Sequence, residues 1–431
     1  MPLKGYEVTL EDFRPMQERC SNCLGCKFVP FEKIKSHRFS RNCPSIWYYN
    51  FNTYSARGRF QLGQTLQDGY VDWNGQALDA VFNCQACGAC DIGCKITRFN
   101  LEPLAHNIAL KERAVEKGLA PPALEAAARQ LSSQKTMLPG VKKEDRTAWA
   151  SECKLKDLSA GETAAYAFFP GCQYAYNPVL QCKARSQVKI LLDAGVDLGF
   201  FGNGDMCCGG RAKQMGFREA FEQEAGYNAK IWAKIPGIKL VTPCADCYHA
   251  IKRQYPALGY NVEVVHTSEL ICDLIKKGKL KFRKDLNLTV TYHDPCHLGR
   301  LGEPFEAWEG TEKKVLNQIH TWEPRRPRYA GTDGVYDAPR EILNGIPGLR
   351  LVEMERIREN SWCCGAGGGC GLFNETYALS VAGERVTEAL STGARTIVTG
   401  CPWCEINLKT ACTGGTIDVV DIMDLVAQSL S

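Results

Sequence analysis

Ten of the 23 cysteines follow one pattern twice: a lone cysteine, then Cys-Cys-Gly, then Cys-x-x-Cys. Two adjacent cysteines cannot both bind one small tetrahedral ion without severe backbone strain, so a zinc ribbon explains the pattern poorly. Five thiolates that converge on one point suit a larger group with several irons. The first copy consists of Cys172, Cys207, Cys208, Cys244 and Cys247, and the second of Cys296, Cys363, Cys364, Cys401 and Cys404.

Cysteines near the N-terminus form two Cys-x-x-Cys-x-x-Cys runs, each followed by a fourth cysteine. This is the ligand pattern of a two-cluster ferredoxin, in which the fourth cysteine of each run binds the other cluster. An insertion of residues 27–42 before Cys43 departs from the usual spacing, although Pro44 fits the pattern. A pair of zinc sites is the alternative. The spacing predicts one [4Fe-4S] cluster on Cys20, Cys23, Cys26 and Cys94, and another on Cys43, Cys84, Cys87 and Cys90.

Strand and helix patterns place the cysteines of both five-cysteine copies at the ends of strands. In each copy an apolar strand precedes the lone cysteine, a second precedes Cys-Cys-Gly, and a third precedes Cys-x-x-Cys. Helical segments alternate with these strands, which indicates α/β sheet domains. The internal repeat indicates gene duplication and a pseudo-twofold pair. Strand ends are the usual place for ligand sites in such sheets.

We therefore predict α+β and α/β parts in one chain. A mostly α-helical, ferredoxin-like domain occupies residues 1–130, and its last amphipathic helix ends at Gly118. Residues 131–162 are predicted to be a linker. Two pseudo-twofold related α/β Cys-Cys-Gly domains, residues 163–280 and 281–431, complete the chain.

Composition limits the classes of function. The 431 residues allow two or three domains. No apolar run is long enough to span a membrane, and residues 1–13 lack the pattern of a secretory signal. We expect a cytoplasmic protein, whose cysteines are thiols or metal ligands. The net charge of +4 counts thiols as neutral, and without a dense Lys/Arg stripe we expect no nucleic-acid binding.

These motifs resemble the catalytic subunits of heterodisulfide reductases. The similarity is greatest to the single-chain type, the D subunit, in which a ferredoxin-like region precedes two Cys-Cys-Gly domains, and it covers nearly the whole chain. The resemblance implies a noncubane [4Fe-4S] cluster on each five-cysteine set, beside the two cubane clusters. In such clusters one of the adjacent thiolates can bridge irons while its neighbour binds terminally.

One departure separates the two copies. The second has a longer gap between its lone cysteine and Cys-Cys-Gly, and the extra residues span roughly Glu303–Pro339. We expect this insertion to shape a different substrate site or a docking surface.

Other chemistries explain fewer of these residues. Dithiol redox at a Cys-x-x-Cys pair, as in thioredoxins, leaves both adjacent-cysteine pairs unexplained. The glycine run from Gly365 to Gly369 fails the dinucleotide pattern, because Cys370 stands where a third Gly or Ala should be. We expect no NAD or flavin on this chain. The glycines are instead expected to let backbone approach a cluster and donate amides to its sulfurs.

His293 and His297 flank Cys296 and are the candidate catalytic residues, as proton donors to a bound substrate. The alternative is a hydrogen bond to a cluster ligand or a packing role at the strand end. Most of the cysteines outside both patterns are expected to be buried structural thiols. They are Cys153, Cys182, Cys272, Cys370 and Cys412.

The predicted function is that of an iron–sulfur oxidoreductase subunit in an anaerobic multisubunit complex. Electrons pass from cubane to noncubane clusters, and a disulfide is reduced as in heterodisulfide reductase. The expected partner is a flavin-containing subunit, similar to the A subunit of heterodisulfide reductase, or another redox subunit. The alternative is a non-catalytic relay. The runs ERCSNCLGCKFVPFEK and CCGAGGG resemble iron–sulfur subunits that feed a catalytic subunit in the tungsten-dependent class II benzoyl-CoA reductase complex.

Overall fold

The computed structural model describes residues 8–95, 101–304, 306, 308–316 and 319–430. Two predictions fall partly outside these residues. One is the lack of a secretory signal, which was judged on residues 1–13, and the other concerns the insertion in the second copy. Within them, no helix combines the length and apolar character that crossing a membrane requires.

The N-terminal part is helical, as predicted. Ser55 and Asn74 cap two of its helices, because their side-chain oxygens accept hydrogen bonds from the first free backbone amides. The helix predicted to end at Gly118 ends at Glu116, and Gly118 has a φ of 69°, as expected after a helix C-terminus. The helices of this part are α1 (Arg14–Arg19), α2 (Pro44–Tyr49), α3 (Ala56–Gln67), α4 (Gly75–Phe82), α5 (Ala89–Lys95), α6 (Pro103–Glu116) and α7 (Pro122–Gln134).

A five-stranded parallel sheet forms the first α/β unit, with strand order β1-β3-β2-β4-β5. Its strands are β1 (Lys156–Asp157), β2 (Tyr166–Phe168), β3 (Leu198–Phe200), β4 (Lys239–Thr242) and β5 (Val264–His266). Its helices are α8 (Gly171–Tyr176), α9 (Pro178–Asp193), α10 (Gly210–Gln214), α11 (Arg218–Trp232), α12 (Ala245–His249), α13 (Tyr255–Ala257) and α14 (Thr267–Lys276).

A four-stranded parallel sheet forms the second α/β unit, and a separate antiparallel hairpin, β7–β8, lies in the insertion. The strands are β6 (Thr289–His293), β7 (Thr311–Val315), β8 (Ile319–Glu323), β9 (Arg350–Leu351), β10 (Thr396–Thr399) and β11 (Asp418–Asp421). The helices are α15 (Asp337–Gly345), α16 (Cys370–Phe373), α17 (Glu375–Ser391), α18 (Pro402–Ala411) and α19 (Ile422–Leu430).

The two sheets share one strand order. The series β3-β2-β4-β5 in the first unit corresponds to β9-β6-β10-β11 in the second. Every strand predicted before a cysteine motif is present, and the mixed α/β class with parallel sheets is confirmed. Because parallel strands end at the same edge of a sheet, this order brings the cysteines of each copy to one edge.

The two units share their hydrophobic core. Trp232 and Leu240 of the first unit belong to one cluster of buried side chains with Ile397 of the second. The segment predicted to be a linker packs on the first unit: Trp149 is fully buried, and β1 pairs with β3.

Candidate metal centres

The cysteines of the predicted motifs lie in four groups, named here by their place in the chain. The outer set is Cys20, Cys23, Cys26 and Cys94; the inner set is Cys43, Cys84, Cys87 and Cys90; the first set is Cys172, Cys207, Cys208, Cys244 and Cys247; and the second set is Cys296, Cys363, Cys364, Cys401 and Cys404.

The outer set forms where two backbone segments approach closely. A side chain at Gly93 in α5 would collide with the carbonyl of Gly25, so a glycine is needed at position 93 to bring Cys94 beside Cys26. Burial raises the pKa of Cys26 to about 12, and nearby thiols of the outer and inner sets add to the rise. Cys23, by contrast, is exposed. This set lies at the protein surface.

The inner set is buried. Burial raises the pKa of Cys90 well above its usual value, and the other three thiols of the set contribute to the rise. Burial likewise raises the pKa of Cys43 to about 11. The amide of Asn107 in α6 lies 3.8 Å from the Cys84 sulfur, to which it donates. The structure therefore brings the four predicted ligands together, and burial disfavours the free thiolates of Cys43 and Cys90.

The first set is a continuous row of interacting thiols. Cys172 contacts Cys207, which contacts its neighbour Cys208. Cys208 in turn contacts Cys247, and Cys247 contacts Cys244. Hydrogen bonds from Cys172 and Cys208 hold the pKa of Cys207 well below its usual value. All five predicted residues meet at the carboxyl edge of the first sheet.

The second set repeats this row. Cys401 contacts Cys404, which contacts Cys364. Cys363 links Cys364 to Cys296. The two rows therefore have the same order of contacts, with the adjacent cysteines in the middle.

The four sets are also connected to one another. Cys244 of the first set interacts with Cys401 of the second. Cys87 of the inner set interacts with Cys363, and this contact is the largest cause that lowers the pKa of Cys87, to about 5. Arg300 holds the contact between Cys87 and Cys363 in place, because its Nε donates to the Cys87 carbonyl at 2.6 Å. The thiol contacts thus run from the inner set to the second set and on to the first.

The glycine run serves two kinds of close approach. The Gly365 amide donates to the Cys363 sulfur at 3.4 Å, as predicted. The next glycines pack on the inner-set backbone instead, since a side chain at Gly368 would collide with the Cys84 carbonyl.

The buried ammonium of Lys111 completes this junction between the helical part and the two α/β units. Its Nζ donates to the carbonyls of Cys84 at 2.8 Å, Gln214 at 3.2 Å and Gly368 at 3.1 Å.

His297 bridges the two α/β units. Its Nδ1 lies 3.2 Å from the Cys296 sulfur and 3.1 Å from Oδ1 of Asp246 in α12. Burial lowers the pKa of His297, but Cys296 and Asp246 outweigh burial and raise it to about 9. His293 lies at the end of β6, beside Cys364 and Cys404. Both predicted histidines therefore adjoin the second set, and their catalytic role stays a prediction.

The sulfur arrangement fits multi-iron clusters better than single ions. In the part of the chain that the structure describes, one group of three donors has its atoms within 4.8 Å of one another: His293, Cys364 and Cys404. No other three donor atoms among the described residues lie that close together, so these residues offer one compact site for a single ion. Burial raises the pKa of a free thiol because it disfavours the charged thiolate. A bound metal removes this penalty, since the thiol then binds as a thiolate.

A cleft of about 770 Å³ leads towards the junction of the two units. It lies between α6, the segment after α12 and the insertion, and is lined by Arg253, Tyr329 and His249. The ring of His249 is 5.0 Å from that of His297. A small organic molecule in the cleft could therefore contact His249, the neighbour of the histidine that bridges the two units.

Cysteines outside the patterns are less buried than expected. Cys272 and Cys370 are buried, whereas Cys153 and Cys412 are half-buried. Cys182 is exposed, so two of the five are buried, where most were expected to be.

Sequence reasoning missed the residues that join the sets. Lys111 and Asp246 lie far along the chain from the groups they contact, so no local spacing marks them. Arg300 had one available signal, since it follows Cys296 by four residues in CHLGR.

Comparison with known proteins gives two findings. The family described as "Cysteine-rich domain" matches residues 166–252 and 326–409. The D subunit of the dihydromethanophenazine:CoB–CoM heterodisulfide reductase of Methanosarcina acetivorans is 33% identical over 360 residues, which cover 82% of this chain and 78% of that protein.

Other relatives are more distant. The probable iron-sulfur-binding oxidoreductase FadF of Bacillus subtilis is 29% identical, over 82% of this chain and 47% of its own length. The B subunit of the fumarate reductase (CoM/CoB) of Methanothermobacter marburgensis is 28% identical, over 61% of this chain and 46% of its own length.

Proposed function

Because this chain belongs to the family of iron–sulfur oxidoreductases that includes the D subunit of heterodisulfide reductase, we propose that it carries electrons from its outer and inner cysteine sets to the second set and then to the first. The observation that carries the proposal is the continuity of thiol contacts. Cys87 adjoins Cys363, and Cys244 adjoins Cys401. Electron transfer over such contacts needs no rearrangement of the chain.

The outer and inner sets would hold cubane [4Fe-4S] clusters, and the first and second sets noncubane [4Fe-4S] clusters. When bound, these clusters supply one-electron steps, two of which reduce a disulfide. The adjacent cysteines at the centre of each row, Cys207–Cys208 and Cys363–Cys364, would provide the bridging thiolate that a noncubane cluster needs. The common strand order of the two sheets supports a duplicated, pseudo-twofold pair.

The favoured activity is reduction of a disulfide at the junction of the two α/β units. The cleft supports this activity, because it is lined in part by His249, whose ring lies next to that of His297. His297 is placed to give a proton to a leaving thiolate, since its Nδ1 lies between the second set and Asp246 of the first unit. Asp246 would hold the ring in that position.

The proposed partners are redox subunits of a larger complex. Two of the relatives are named as subunits, one of a heterodisulfide reductase and the other of a fumarate reductase. A flavin-containing subunit, or another redox subunit, would deliver electrons at the outer set, where Cys23 is exposed.

A second candidate is a relay that feeds a partner reductase, such as a tungsten-dependent class II benzoyl-CoA reductase. The hairpin β7–β8 favours it. Leu316, at the end of the first hairpin strand, is 83% exposed, and Val315 is 45% exposed. Exposed apolar side chains on a projecting hairpin suit contact with another protein.

Anaerobic purification with iron and sulfide analysis tests the proposal. Four clusters require about 16 irons per chain. About eight irons with stoichiometric zinc would reject the noncubane assignment. Disulfide turnover by the isolated chain would support the reductase, and a co-purifying tungsten subunit without such turnover would support the relay.

A further inference from the structure

His293 is held by an arginine that fixes the position of its proton. The histidine ends β6 and is 1% exposed. Its Nδ1 accepts a hydrogen bond from Nε of Arg385 in α17 at 3.1 Å. A guanidinium has only donors, so Nδ1 must present its lone pair. The neutral ring therefore carries its proton on Nε2.

Arg385 has little freedom to change this arrangement, because it is fully buried and its other nitrogens are engaged. Nη1 donates to Glu388 at 2.7 Å and to the Arg356 carbonyl at 2.9 Å. Nη2 donates to the Ser361 hydroxyl at 3.3 Å. The arginine is thus a positioning residue for the histidine ring.

The Nε2 atom of His293 is aimed at the second set. Among the described residues it has no hydrogen-bond partner, although it is buried. The histidine donor atom and the sulfurs of Cys364 and Cys404 lie within 4.8 Å of one another. A buried N–H without another partner costs free energy unless it donates to a nearby acceptor. The sulfurs of Cys364 and Cys404 are the nearby atoms that could accept it as thiolates.

We propose that His293 donates its Nε2 proton in a hydrogen bond to the Cys364–Cys404 thiolates and thereby raises the reduction potential of the second site. This inference rests on the proposed function, in which these thiolates hold a cluster. A hydrogen bond to a ligand sulfur stabilises the more negative, reduced form, so the site becomes easier to reduce.

The first set lacks this donor. Phe169 stands three residues before Cys172, as His293 stands three before Cys296. The sheet registers agree. Phe168 pairs with Val241, so Phe169 stands in register with Thr242, two residues before Cys244. His293 pairs with Thr399, which likewise stands two residues before Cys401. The same place thus holds an apolar ring in one copy and an N–H donor in the other. The two sites should differ in potential for this reason.

Direct binding of His293 to iron is disfavoured by the same arginine. Coordination through Nε2 would displace its proton, while Nδ1 still faces the donor-only Arg385. The ring would then have to be an imidazolate, and removing the last ring proton from a neutral imidazole is costly.

The test is an anaerobic redox titration followed by electron paramagnetic resonance. Cys208→Ala and Cys364→Ala assign the signals to the first and second sites. His293→Phe reproduces the residue of the first copy, and His293→Leu is a smaller replacement in case the larger ring does not fit. Both should shift the second-site potential to lower values and leave the first-site potential unchanged. His293→Gln, whose amide can donate, should restore much of the wild-type value. Phe169→Leu is the matched control and should not move the second site.

Three results would overturn the inference. One is an unchanged second-site potential in the Phe and Leu variants. Another is a strongly coupled nitrogen in the wild-type spectrum that disappears with His293, which marks a ligand. The third is loss of iron from the second site in both variants. Wild-type protein without iron at the five-cysteine sites would instead reject the proposed function itself.

Discussion

The two α/β units have the same strand order and the same row of five cysteines, yet their surroundings differ. The second set touches the inner set through Cys363 and Cys87, and it has His293 and His297 beside it. The first set has Phe169 in place of His293, and the thiol contacts that the structure describes reach it by way of Cys401. The two copies share their donor atoms and differ in the neighbours of those atoms, so that one copy faces the inner set.

The largest expected difference between the two copies is seen when one cysteine is removed from either copy, in separate variants. Cys364→Ala and Cys208→Ala should each lose about four irons per chain. Because the second set lies between the inner set and the first set, Cys364→Ala should also slow reduction of the first site, whereas Cys208→Ala should leave the second site normally reducible. Rapid-mixing spectroscopy with iron analysis measures both effects. Equal kinetic effects of the two variants would contradict the order of the sets.

Lys111→Met tests whether the buried ammonium holds the helical part and the two α/β units together. The change leaves three buried carbonyls without their donor, and we expect a loss of about 3 kcal/mol or more in the free energy of unfolding. Anaerobic thermal denaturation measures it. The exposed Lys117, just after the same helix, provides the control, and Lys117→Met should behave as wild type. A stable Lys111→Met protein would show that the junction does not depend on the ammonium.

Asp421 and His266 occupy equivalent places in the two sheets, because Asp421 pairs with Thr399 and His266 pairs with Thr242. Both side chains are buried. Burial lowers the pKa of His266 to about 4. Burial raises the pKa of Asp421 to about 8, with further contributions from Asp424 and Glu405. Each fold position therefore favours a neutral side chain, although one is a base and the other an acid.

Asp421→Asn should change the pH dependence of stability. The pKa of an exposed aspartate is about 4, so the folded state binds this proton more tightly than the unfolded state. The stability from Asp421 is present below pH about 4 and is lost as pH rises towards its folded pKa of about 8.

Four charged or polar groups face the Asp421 carboxyl: Tyr174, Lys183, Glu405 and Asp424. Asparagine can accept the hydrogen bond from the Met423 amide through its oxygen and donate its NH2 group to the Tyr174 oxygen, so the variant should lose less stability between pH 5 and 8 than wild type. Urea unfolding at both pH values checks this. The exposed Asp418→Asn on the same strand is the control. Parallel curves for wild type and Asp421→Asn would contradict a protonated Asp421.

Replacing the hairpin residues 311–323 with a short Gly-Ser linker should have the smallest effect. Lys313, Lys314 and Leu316 are exposed, so we expect the free energy of unfolding to change by about 0.5 kcal/mol at most. Iron content should stay the same. The measurement that matters is co-purification of partner subunits, and unchanged capture would remove the hairpin from the docking surface.

Much of the site followed from local spacing. Cys207 and Cys208 are adjacent in sequence, and Cys244 follows a strand, so their meeting at one sheet edge was predictable. The hairpin was not, because its strand residues TEKKV are mostly polar and carry no alternating pattern. The connection between sets was not predictable either. It depends on Lys111 and Arg300, whose partners are brought near only by packing of the helical part and the α/β units.

The exposure of Cys23 has a consequence for damage by air. Oxidation of a cysteine follows its thiolate character and its access to solvent. Cys23 is exposed, whereas the first set is buried. Oxygen should therefore attack the protein from the outside inwards, and a preparation briefly exposed to air would lose the outer set, the proposed entry point for electrons, while the buried first set stays intact.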